Sequence, residues 1–140
     1  MKKAQELLNK AIITEDTMDR FTNVWQSFNN LFSKETGYER NKIKTFLTKN
    51  IDENFAKKII NNFNNDKEFL LSSPVIDMDN PEKDTKRDID TFNNSSNYLV
   101  KLKALFMIIY QVRCNLLFPH ASQNYALSVQ GFSFYKCVRR

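Results

Sequence analysis

Tyr98-Leu99-Val100-Lys101-Leu102-Lys103-Ala104-Leu105-Phe106-Met107-Ile108-Ile109-Tyr110-Gln111-Val112-Arg113-Cys114-Asn115-Leu116-Leu117 decides the fold. Tyr98, Leu102, Leu105, Ile109, Val112 and Leu116 recur at spacings of four, three, four, three and four, the period of an α-helix. Phe106, Met107 and Ile108 widen the apolar surface nearly all the way round. A helix from Ser96 to Leu117 with so little polar surface must run centrally through a bundle or pack against a second copy of the chain. Pro119 ends it, because proline lacks the amide a helix interior requires.

Working back toward the N-terminus, the stretch from Ser72 to Asn97 is rich in charge of both signs and poor in apolar residues. It is read as a long polar connection, with a short helix from Pro81 to Phe92, since proline suits a first helical turn. Before it, Lys2 to Ile13 places Ala4, Leu7, Leu8, Ala11 and Ile12 on one helical stripe. Asp16 to Lys34 forms a second helix, with Met18, Phe21, Val24, Trp25, Phe28, Leu31 and Phe32 on one face and Gly37 as its stop. A third covers Tyr38 to Lys49, and a fourth starts near Asp52, a suitable cap, and carries Phe55, Ile59, Ile60 and Phe63. Asn61 to Asp66 reads as a polar stop, followed by one more turn at Lys67 to Leu71.

The expected fold is therefore all-α, a four- to five-helix bundle occupying residues 1–120, with an irregular tail at 121–140. Only two Gly and three Pro among 140 residues argue against a sandwich or barrel, which needs many tight turns. In the tail, Val129, Phe132, Phe134 and Tyr135 give residues 128–138 a loose alternation that suits an edge strand, an extended arm or a disordered segment.

Composition bounds function as well. No apolar core follows the basic start Met1-Lys2-Lys3, and the apolar run Ala104 to Tyr110 is too short to span a bilayer. A cytoplasmic protein with reduced Cys114 and Cys137, and without a membrane partner, is the expectation. The net charge of +5 suits an anionic partner such as RNA, although the basic residues are scattered. With two glycines there is no phosphate-cradling loop, and one His with two separated Cys gives zinc too few ligands. Neither a metal nor a cofactor is expected.

What remains is Val112-Arg113-Cys114-Asn115-Leu116-Leu117-Phe118-Pro119-His120. It gathers a guanidinium, a carboxamide and an imidazole at a helix end, with Arg113 at the rim of the apolar face. An Arg holds a phosphate through paired hydrogen bonds and stabilises developing charge. An imidazole moves a proton near neutral pH. Together they suit phosphodiester chemistry, and no metal is required if a ribose 2′-hydroxyl attacks its own phosphate. The structural alternative is an Arg that caps helix carbonyls and a His that fills a loop.

The segment resembles the HEPN superfamily, small helical domains found in many prokaryotic RNases and toxin–antitoxin systems. Their shared motif is an Arg, four to six residues, then a His at the end of a long helix; here six residues separate Arg113 from His120. Ile108 to Leu116 looks like the stretch that precedes the His in bacterial members, and Trp25, Phe28, Asn29 and Leu31 look like their early Trp-x-x-Phe-Asn helix. The resemblance implies a helical homodimer joined through the Ser96–Leu117 helices, with a metal-independent endoribonuclease or RNA-binding site built from both copies. It implies catalytic roles for Arg113 and His120, an RNA-binding or orienting role for Asn115, and structural roles for Trp25 and Asn29. The partners it implies are RNA and an antitoxin or nucleotidyltransferase of a prokaryotic toxin–antitoxin or defence system. The other reading is a non-catalytic dimerisation or partner-binding module. Two departures stand out: Leu117-Phe118-Pro119 intervenes before His120, and Ala121 follows it where the family often has glycine.

Overall fold

The structure, a computed structural model, describes residues 2–117. His120, Cys137 and the 121–140 tail lie outside the described residues. Within them the chain is all-helical, with seven helices and no strand. These are α1 (Lys2–Ile13), α2 (Thr17–Phe32), α3 (Glu39–Asn50), α4 (Glu53–Asn62), α5 (Asn64–Ser72), α6 (Lys86–Asn94) and α7 (Tyr98–Leu117). None is long and apolar enough to cross a membrane. The chain divides into two compact units, one ending at Phe46 and the other beginning at Leu47, so the boundary falls inside α3.

In the first unit α1 packs along α2. Ala4 and Ala11 are the residues of α1 that are buried, while Ile12 and Ile13 remain 70% and 80% exposed. The apolar stripe read from the sequence is thus rotated toward its two smallest members, whose short side chains let two backbones approach. Ser27 exploits that approach by donating from Oγ to the Ala4 carbonyl at 2.6 Å. Asp16 caps α2 by accepting from the Asp19 amide at 2.9 Å, satisfying one of the orphan donors at a helix start. Trp25 is buried at the centre of an aromatic cluster, with Phe21, Phe28 and Phe32 at ring-centroid distances of 6.4, 5.7 and 6.4 Å. Phe28 extends the cluster edge-on to Phe46 at 5.8 Å. Aromatic pairs of this geometry add about 0.5–1.5 kcal/mol each beyond burial. Gly37 has φ +94°, the left-handed backbone that stops α2 from running into α3.

The second unit is organised around α7, against which α4, α5 and α6 all pack. Leu102, Ala104, Leu105, Met107, Ile108, Tyr110, Gln111, Arg113 and Cys114 are buried. Consecutive pairs such as 104–105 and 107–108 lie in different directions around the axis, so burial extends over most of the circumference. Of the two placements the sequence allowed, the single chain already provides the central one. Covering this helix does not require a second copy.

Asp52 starts α4 by accepting from the Phe55 amide at 2.7 Å. Glu53 in the first turn of α4 accepts from the Tyr98 amide at 3.3 Å, and Asn97 accepts from the Val100 amide at 3.0 Å, so two side chains cap α7. Lys57 lies 5.4 Å from the Tyr98 ring centroid and Lys101 4.8 Å from that of Phe92. Both are cation–π pairs whose lysine stems cover apolar surface.

Two element boundaries differ from the sequence reading. The polar stretch 61–66 does not stop the chain for six residues: Phe63 alone breaks the helix (φ −109°, ψ 34°), and α5 resumes at Asn64. The short helix α6 starts at Lys86 rather than Pro81. Residues 75–85, including the proline, form a ribbon instead.

Candidate functional site: the end of α7 and the ribbon beside it

The ribbon arises from local turn chemistry. The Asp77 side chain accepts from the amides of Asp79 and Asn80 at 3.0 and 3.3 Å, an Asx turn. The Lys83 amide donates to the Asn80 carbonyl at 2.9 Å, closing the turn around Pro81. The arms then pair antiparallel at Ile76 and Asp84, flanked by Asp77 N–H to Lys83 O at 2.9 Å and Thr85 N–H to Val75 O at 3.1 Å. Thr85, only 2% exposed, closes the base by accepting on Oγ1 from the Val75 amide at 2.8 Å. Asp84 accepts from the Lys86 amide at 2.8 Å where the chain turns into α6.

The outer edge of this ribbon meets α7 through Asn115. Its Nδ2 donates to the Ile76 carbonyl at 2.7 Å, and its Oδ1 accepts from the Met78 amide at 3.2 Å. The carboxamide thus fills one donor and one acceptor of the strand edge, as a neighbouring strand would. Gln111, one turn earlier and buried, donates from Nε2 to the same Oδ1 at 3.1 Å. The residue expected to touch RNA therefore uses one of its two donors and its side-chain oxygen within the chain.

Arg113 is also placed differently from the rim position read from the sequence. It is 6% exposed, and its Nε is shielded from solvent. Two residues from both Gln111 and Asn115, it projects on the other side of α7, about 200° around the axis. The structure thus separates Arg113 from Asn115 instead of converging them, and His120 lies outside the described residues. Trp25 holds the structural place expected of it, at the centre of its cluster.

Charge sharpens the picture. Residues 47–117 carry ten basic and ten acidic side chains, whereas 118–140 carry three basic and none acidic. The segment 77–90, which includes most of the ribbon, has six acidic side chains against three basic. The net positive charge of the chain therefore does not come from the ribbon and α7. Among the described residues no group of three or more His, Cys, Asp or Glu side chains is placed to hold a metal ion.

Thr85 and Gln111 are the contributors that the sequence reading missed. Asp77, Asn80 and Pro81 were read from the sequence as part of a polar connection running into a helix at Pro81, although their residue types also suit turns. Nothing local marks Asn115 as their partner, because the contacts span 37 and 39 residues. No family model, no curated protein and no solved structure matches the chain.

Proposed function

We propose that the chain is a HEPN-like helical domain directed at RNA, a metal-independent endoribonuclease or an RNA-binding relative, working in a prokaryotic toxin–antitoxin or defence system. The observation that carries this reading is the position of Arg113 in the penultimate turn of a 20-residue helix at the centre of its unit, with His120 seven positions on. In this reading Arg113 holds the scissile phosphate and stabilises its developing charge, and His120 moves the proton of the attacking 2′-hydroxyl. Two copies meeting at the ends of their α7 helices would supply the composite site that the resemblance implies, and the cytoplasm is its proposed location.

A second reading, a non-catalytic partner-binding or dimerisation module of the same architecture, is favoured by three observations. Arg113 is buried, Asn115 is committed to the ribbon, and the ribbon is acidic. An antitoxin or nucleotidyltransferase is the partner proposed for it.

Incubating the full chain with labelled RNA in EDTA separates the readings. If the domain is the endoribonuclease, wild type cuts, and Arg113→Ala and His120→Ala each cut at least about 100-fold more slowly, the scale of losing one charge-stabilising or proton-transferring group. Wild type that leaves RNA intact, or variants that cut as fast as wild type, would remove the nuclease reading.

A further inference from the structure

We propose that the 75–85 ribbon is a strap with a closed and an open state, and that Asn115 is its latch. The ribbon is held very differently at its two ends. At the base Thr85 is buried and joined to Val75 by two hydrogen bonds, from the Val75 amide to Oγ1 and from the Thr85 amide to the Val75 carbonyl. Toward the tip no comparable burial exists: Ile76 is 56% and Met78 47% exposed, Asp79 is exposed, and Asp77 is only half-buried. Apolar burial therefore contributes little to holding the tip against α7, and hydrogen bonding carries the attachment. That bonding converges on one carboxamide, which joins Ile76, Met78 and Gln111.

An attachment of this kind opens locally. Segments with few buried apolar contacts and solvent-accessible hydrogen bonds open at far lower free energy than the cores they rest on. In the open state the strap frays from its tip to the Thr85 base, and the Asp77-to-Lys83 bond is lost along with those to Asn115. The Asn115 carboxamide then faces solvent in the last turn of α7. One donor and one acceptor on Asn115, satisfied by the ribbon when closed, become available to a ligand at that end of the helix. The latch rests on hydrogen bonds within one unit and does not depend on the chain acting on RNA.

Amide hydrogen exchange on the full chain tests it without any ligand. The informative proton is that of Asp77, whose acceptor is the Lys83 carbonyl and which Asn115 does not touch. Asn115→Ala is expected to speed Asp77 exchange by at least about tenfold, with Thr85 and Ile89 changing by less than about twofold. Unchanged Asp77 exchange would mean that the ribbon holds itself and Asn115 is no latch. An equal rise at Asp77, Thr85 and Ile89 would mean that Asn115 supports the whole unit, which equally overturns the proposal.

Discussion

Truncation of Leu102 to alanine is expected to lower the unfolding free energy by about 3 kcal/mol, within the range measured for fully buried leucines. Leu102 is 0% exposed and lies on α7, the helix against which three others of its unit pack. The loss combines the transfer free energy of the missing methyl groups with the cost of a cavity that rigid neighbours fill only in part. For a chain of this size it corresponds to a fall in melting temperature of roughly 10 °C, set by the entropy of unfolding. Against typical total stabilities of about 5–15 kcal/mol, one such change consumes a large share. Thermal or urea unfolding followed by circular dichroism measures it. A shift as small as that of a surface substitution would show that α7 is not the central element described.

The second large effect concerns Arg113, where structural and chemical roles must be separated. Arg113→Ala removes both a charge and a buried stem, so lost activity in that variant has two explanations. Arg113→Met retains an unbranched stem that packs in irregular apolar space, and deletes only the guanidinium. Circular dichroism and thermal unfolding of the methionine variant establish how much of the fold depends on the guanidinium itself. Compared at a temperature where it is folded, the methionine variant is expected to cut RNA at least about 100-fold more slowly than wild type. If it is folded and cuts normally, Arg113 is a packing residue, and the module reading prevails.

Much of the architecture was legible because it follows from local rules. The three-and-four spacing of Phe21, Val24, Trp25, Phe28 and Phe32 sufficed for α2, Asp16 and Asp52 marked helix starts, and Gly37 marked a stop. The nearly continuous apolar surface of residues 98–117 correctly implied a helix in need of cover, and the packing of α4, α5 and α6 supplies it within one chain. The start of α6 was not legible. Pro81 is compatible with a first helical turn and with a ribbon turn alike, and the choice between them was made by Thr85 and Asn115, distant from it in sequence or invisible to periodicity. For the same reason the residues expected at the site were assigned by type rather than by place. Asn115 has the donors and acceptors to meet a nucleotide, but a peptide edge presents the same complement, and the chain folds one against it. Arg113 falls at the edge of the apolar stripe on a helical projection. The neighbouring helices, which no projection contains, carry burial past that edge.

As the endoribonuclease proposed above, the chain would cut RNA through Arg113 and His120 with the substrate's own 2′-hydroxyl as nucleophile. The most direct measurement is the chemistry of the ends produced when purified wild-type chain is incubated with a labelled RNA in EDTA. Fragments ending in a 2′,3′-cyclic phosphate and beginning with a 5′-hydroxyl are the expected products. Intact RNA, or cleavage that leaves 5′-phosphates and stops when EDTA is added, would contradict that proposal.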